Sequence, residues 1–269
     1  VRHHLAQTLP PLATLLSLAL ALILSACASS PDPLRSPRAL TAPYNSDNGE
    51  VLWAVAPLRN EAGTTILDEP LLTDHLISAV EQVRGVRALP LDRVLNAMYR
   101  LEIRSIRSPQ DAAAIAQALG VDAIVVGSVT AYEPYTPVVG VSLALFPAPN
   151  QIPTQASMDP REIRSAPTEP AANAAASLAP LGSTEPIATF SERLDAKNHQ
   201  VLMDVRAFAQ GRDKAPSALG WKRYVASSDL FAQFAMHHAV DGLLQQEWTR
   251  VARAQAPILP ARPVATGVP

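Results

Sequence analysis

Residues 108–133 read SPQDAAAIAQALGVDAIVVGSVTAYE. The stretch holds a complete helix and the strand that follows it. Ser108 fits an N-cap, Pro109 the first helical position, and Asp111 the first turn, where the helix end favours negative charge. Ala112, Ile115, Ala116 and Leu119 recur at three and four residues and make one buried stripe. Gly120 fits a left-handed C-terminal cap. Ala123 to Val129 is apolar enough for a strand covered on both faces, and Glu133-Pro134-Tyr135 breaks it. A helix feeding such a strand predicts α/β packing.

The segments before it agree. Val51 to Ala56, VLWAVA, reads as another strand buried on both faces, ended by Pro57. The loop Arg59-Asn60-Glu61-Ala62-Gly63 follows. Leu72, Leu76, Ala79, Val80 and Val83 then mark an amphipathic helix over 70–83, stopped by Gly85. Val86–Leu89 reads as a short strand, and Leu91, Val94, Leu95 and Met98 mark a second helix.

The segments after it are less regular. Val138–Phe146, VVGVSLALF, reads as a strand. Residues 147–190 hold eight prolines and ten alanines, too little bulky apolar surface to offset the entropy of ordering them. Residues 147–196 are therefore expected to be a disordered insertion. Val201, Met203, Val205, Ala207 and Ala209 alternate with polar or outward positions, which predicts a half-buried strand. Leu219–Val225 fits a short strand. A long helix is expected from Ser228 or Asp229 to about Val251. Its apolar face carries Met236, Val240, Leu243, Leu244, Trp248 and Val251. Its polar face carries Asp229, Gln233, His237, Asp241 and Gln245. The expected fold class is α/β in the α+β sense: a small mixed sheet flanked by helices, with a long C-terminal helix. One αβ domain over 51–253 is predicted, with a disordered tail over 254–269.

The N-terminal part reads differently. Arg2, His3 and His4 precede Leu12–Leu24, thirteen residues without a charge. That is too short to span a bilayer comfortably, which takes roughly 20 helical residues, but it suits the apolar part of a signal peptide. Leu24-Ser25-Ala26-Cys27 resembles the lipobox of bacterial lipoproteins. The resemblance implies cleavage after Ala26, so that residues 1–26 are the signal and Cys27 is the lipidated first residue of the mature chain. Cysteine is required there because its thiolate takes up the lipid. Ala28, rather than Asp, follows it, which fits sorting to the outer membrane, facing the periplasm. Two or three acyl chains, palmitate among them, at about 0.8 kcal/mol per buried CH2, anchor a protein without a spanning helix. Residues 27–50, rich in Ser, Pro, Asn and Asp, read as a flexible tether.

Composition narrows the function. The 269 residues are 48% apolar, 5% aromatic and 17% charged, with a net charge of -2 and one cysteine. The charge gives no basis for nucleic-acid binding, and the lone cysteine excludes internal disulfides and cysteine-rich metal sites. No phosphate-binding, dinucleotide, nucleophile-elbow or zinc-protease motif occurs. His237 and His238 are adjacent, so on a helix they point about 100° apart and do not form a two-histidine metal face. His75 sits beside an apolar stripe, a packing position. Glu61, Asp68 and Glu69 follow the first strand, where α/β proteins often bind ligands, and acidic loops are also commonly just solvated. Tyr132, Glu133 and Tyr135 form a polar-aromatic patch at a strand end, either a contact surface or a plain turn. No catalytic, cofactor or metal residue is therefore assigned.

The motif order then resembles a family. Pro57 with Asn60-Glu61-Ala62-Gly63, Leu119-Gly120-Val121-Asp122-Ala123, and Gly127-Ser128 are similar to the N-terminal domain of TolB and the curli-secretion lipoproteins, with penicillin-binding-protein activator lipoproteins as relatives. The match covers mainly residues 51–135. The resemblance implies a small fold like an anticodon-binding domain. It also implies a non-enzymatic adaptor or scaffold in envelope assembly or secretion, with envelope proteins as partners. An oligomeric subunit of a curli-type outer-membrane secretion pore is the alternative. Such a pore needs membrane strands of roughly nine to eleven alternating residues, which 147–190 does not offer. A ligand binder or enzyme using the loop near Glu61 is the second alternative.

Overall fold

The computed structural model describes residues 39–44, 49–148, 185–212 and 218–255. All belong to one unit, Ser36–Pro269. Cys27, the signal segment, most of the proline- and alanine-rich stretch and the tail lie outside the described residues.

Strand β1 is Leu40–Thr41, β2 Val51–Val55 and β3 Arg59–Asn60. Helix α1, Glu69–Glu81, follows; β4 is Val83–Arg84 and β5 Val86–Ala88. Helices α2 (Leu91–Arg100) and α3 (Pro109–Leu119) lead into β6 (Ala123–Glu133) and β7 (Val138–Pro147). The chain then gives β8 (Ala188–Asp195), α4 (His199–Ala209), a 3-10 turn (Gly220–Lys222), α5 (Arg223–Ala226) and α6 (Ser228–Gln255). The main sheet runs β5-β2-β6-β7-β8, with β3 also on β6. β2 lies parallel to β5 and β6, whereas β6-β7 and β7-β8 are antiparallel. The expected mixed α/β sheet with a long final helix is therefore present.

Strand alternation sorts the core into two layers. Trp53, Val55, Val125, Val141, Leu143 and Leu145 face α1, α4 and α6, where Leu76, Val80, Val205, Phe231, Ala235 and Leu243 are buried. Ala54, Ala56 and Ile124 point to the opposite side, against Val94 of α2 and Ala112, Ile115 and Ala116 of α3. Both faces of β2 are thus covered, as its unbroken apolar run requires. Each fully buried Val, Leu or Ile contributes about 1.5–3 kcal/mol of transfer free energy.

Local signals set the helix ends. Asp68 caps α1 by accepting from Leu71 N–H. Thr73 is buried; its Oγ1 accepts from Leu58 N–H and donates to the Glu69 carbonyl, tying the loop after β2 to the helix. In α3, Ser108 and Asp111 form a reciprocal capping box, and Gly120 ends the helix at φ 65.

Four expectations are corrected. Residues 201–209 form α4, not a strand: Val201, Val205 and Ala209 are buried while Met203 is exposed, a four-residue spacing. Asn198 caps it through Gln200 N–H. The strand of this region is β8, inside the stretch expected to be disordered. Residues 219–225 are helical turns rather than a strand. Finally, the stretch read as tether contains β1, which pairs with β4, and Leu40 and Ala42 are buried.

Candidate functional site: the half-open sheet face

The three helices α1, α4 and α6 line one face of the sheet, and α6 packs on β7 and β8. The opposite face is covered unevenly. Helices α2 and α3 shield β2, the start of β6 and the end of β7. Thr189, Ser191 and Arg193 of β8 point to this second face and are exposed. Among the described residues no helix covers that part of the sheet.

Where α3 begins, the sheet and the preceding loop border an open cavity of about 230 Å³. Val126, Ser128, Ser142 and Ala144 form its floor, and Arg59, Phe146 and the 106–109 loop its walls. The floor is shallow in side-chain bulk because both serines and the alanine are small. Ser128 Oγ donates to Glu61 Oε2 at 2.9 Å, and Glu61 Oε1 pairs with Arg59. Arg107 and Ser142 make no side-chain hydrogen bond or ion pair among the described residues. Asp111 does not offer its charge to the cavity: Oδ2 accepts from Arg107 N–H and Ser108 N–H. The first of these bonds holds its carboxyl below the usual range.

Strand β8 also ends the sheet. Ala196 N–H bonds to the Pro137 carbonyl, and the register runs from Val138↔Asp195 to Leu145↔Ala188. In an antiparallel ladder this directs the backbone groups of Thr189, Ser191 and Arg193 away from β7. Thr189 N–H is taken by Gln246 Oε1 of α6 at 3.0 Å. The outward N–H groups of Ser191 and Arg193 have no partner among the described residues, an open edge of the kind that pairs with another strand.

Of the two readings of the acidic loop, ligand site or solvated loop, the structure matches neither closely: its carboxylates have structural tasks. Asp68 is the α1 cap, Glu69 lies in its first turn, and Glu61 serves Arg59 and Ser128. His75 Nε2 lies 2.8 Å from Asp229, joining α1 to α6. His237 stacks at a tilt on Phe208, and His238 reaches Glu192 of β8 at 3.2 Å. The adjacent histidines thus serve different neighbours. Among the described residues no group of three metal-ligating side chains occurs, and no helix is long and apolar enough to cross a membrane. Tyr135 is 92% exposed at the β6-β7 turn, where its N–H bonds to Glu133, while Tyr132 packs on the core.

The sequence reading missed Arg59, Arg107 and Ser142 because they share a cavity only through the register of β3, β6 and β7. It also missed a buried network at the other side of the domain. Glu247 is fully buried, accepts from Tyr44 at 3.0 Å and is gripped by two Arg250 nitrogens at 2.6 and 2.7 Å. An acid at a core-facing position of the α6 pattern was the available signal.

No protein-family model matches this sequence, and no curated protein matches it. Solved structures are similar at low identity. The LpoB C-terminal domain from Salmonella enterica shares 12% identity at a TM-score of 0.36, over 58% of this chain and 86% of that one. Lipoprotein GNA1162 from Neisseria meningitidis shares 13% at 0.36, over 62% and 99%. PelC, a dodecamer from Paraburkholderia phytofirmans, shares 17% at 0.25, over 44% and 70%.

Proposed function

We propose that this chain is a non-enzymatic adaptor of the bacterial cell envelope, anchored to the outer membrane by lipid on Cys27 and facing the periplasm. Its partners are envelope proteins that contact the uncovered sheet face. The observation that carries this reading is the asymmetry of the sheet: one face is packed, while on the other β8 is exposed and, among the described residues, its outer edge is unpaired. An open edge is a liability unless something covers it. Further support comes from Asp68, His75 and Glu61, which among the described residues are spent on a cap and on bonds between elements.

The test is site-specific photocrosslinking in living cells. A photoreactive residue at Thr189 or Ser191 should give a discrete adduct with an envelope protein. The same residue at Tyr99, 85% exposed on α2, serves as the control. Equal labelling at all three positions would count against the open face as the contact surface. Native mass in detergent separates the pore alternative, since a ring of many subunits would replace the adaptor reading.

A further inference from the structure

We infer that the cavity between β3, the 106–109 loop and the β6-β7 floor is an anchor site for one acidic side chain of a protein partner, presented on an extended segment lying across the open sheet face. This rests on the adaptor reading and names the chemistry of its contact.

The polar lining favours an anion. Arg59 and Arg107, two cationic residues, and Ser142, a hydroxyl residue, are among those that line the cavity. Arg59 spends a nitrogen on Glu61, but a guanidinium carries five N–H donors in a fork suited to a second carboxylate. Among the described residues Arg107 makes no ion pair, and its bond to Asp111 is through its backbone N–H. The acceptors nearby are already engaged: Asp111 by two backbone N–H groups, Ser108 Oγ by Asp111 N–H, and Glu61 by Arg59 and Ser128. Among the described residues, an incoming carboxylate therefore meets donors whose acceptors are few.

Size separates a side chain from a free small molecule. Sites for drug-sized ligands are about 300–1,000 Å³ and close over most of the ligand. A cavity of about 230 Å³ is smaller than that range and opens onto the sheet. It accepts one side chain, with Val126, Ala144 and Phe146 offering apolar contact to its methylenes. The exposed Thr189, Ser191 and Arg193 continue the surface along which the rest of the segment would run. Bidentate binding of carboxylate by arginine supplies the specificity, and the shallow apolar floor supplies contact area.

The test uses the full-length lipoprotein in its own cells. Arg107→Lys places a primary amine at the cavity, and a carbodiimide then joins it to any carboxylate in direct contact. Mass spectrometry identifies the joined residue. The expected product links position 107 to an Asp or Glu side chain of another polypeptide. A link only to Asp111 or Glu61 of the same chain, or to a C-terminal carboxylate or a small acid, overturns the inference. In parallel, a photocrosslinker at Ser142 is compared in wild-type and Arg107→Gln backgrounds. The adduct should fall at least about tenfold, while the thermal melt and the adduct from Ser191 remain. An undiminished Ser142 adduct also overturns it. Loss of adducts from Ser191 and Thr189 in the wild-type chain instead defeats the adaptor reading itself.

Discussion

Glu247 places an acid at a position with no solvent exposure, and its partners explain why that is tolerated. Arg250 grips both carboxylate oxygens and Tyr44 donates to one of them. The tyrosine is held neutral: burial, then the Glu247 charge, push its hydroxyl far above the ordinary value of 10.0. The consequence is a pH dependence with a definite sign. Below about pH 10 both folded and unfolded chains keep this proton. Above it the unfolded chain ionises while the folded chain does not, so stability declines by about 1.4 kcal/mol per pH unit from this group. Tyr44→Phe should remove that slope and cost about 1.5–3 kcal/mol at neutral pH, the range for a hydrogen bond to a charged group. Urea unfolding at pH 7 and pH 11 measures both; an unchanged slope in the variant would show that another group controls alkaline unfolding. Nothing in the local sequence around Tyr44 announces this contact, because its partner lies 203 residues away.

At the scale of elements, the α3–β6 unit shows how much was legible. Its cap residues, buried stripe and terminal glycine all came from spacing alone, since each is a local signal satisfied within one helix. The α4 segment shows the converse. A period of four is contained in a period of two, so Val201, Val205 and Ala209 fit a strand or a helix equally; Asn198 at the N-cap was the deciding signal. β8 was hidden because Glu192 interrupts its apolar alternation, and only His238 of α6 accounts for an acid there. Two places in the fold give predictions. Ser108→Ala breaks the capping box and should cost about 1 kcal/mol. Asp111 has a depressed pKa, so its contribution is present above the unfolded value of 3.8 and is lost as pH falls below it. Asp111→Asn should flatten acid unfolding over that window, read by circular dichroism at pH 2–5. The second concerns the α6–β8 crossing. A Cβ on Gly242 would lie 2.3 Å from the Phe190 ring, so glycine is kept despite costing a helix about 1 kcal/mol against alanine. Gly242→Ala should destabilise by about 1–3 kcal/mol through overpacking. Adding Phe190→Ala should relieve part of that cost, giving a non-additive cycle; strictly additive effects would mean the two residues do not meet.

At the scale of the whole molecule, the proposed anchor and the folded domain make separable contributions. The stretch read as tether is shorter than its composition suggested, because residues 40–44 are built into the domain. Leu40–Thr41 pair with β4, Trp248 Nε1 donates to the Thr41 carbonyl at 2.9 Å, and Tyr44 packs on Trp53. This also explains why Trp248, expected on the buried face of α6, is 49% exposed: it lies over the N-terminal segment rather than under the sheet. Among the described residues no helix is long and apolar enough to cross a membrane. Cys27→Ser should abolish fatty-acid labelling and move the protein from the membrane to the soluble fraction. The thermal melt of the domain should stay unchanged, since stability resides in the two core layers and the Tyr44 network. If that variant stays with membranes while unlabelled, retention comes from a protein contact and the lipid assignment fails. Combining it with Arg107→Gln then separates the two sources: release only in the double variant would place the remaining hold at the half-open sheet face.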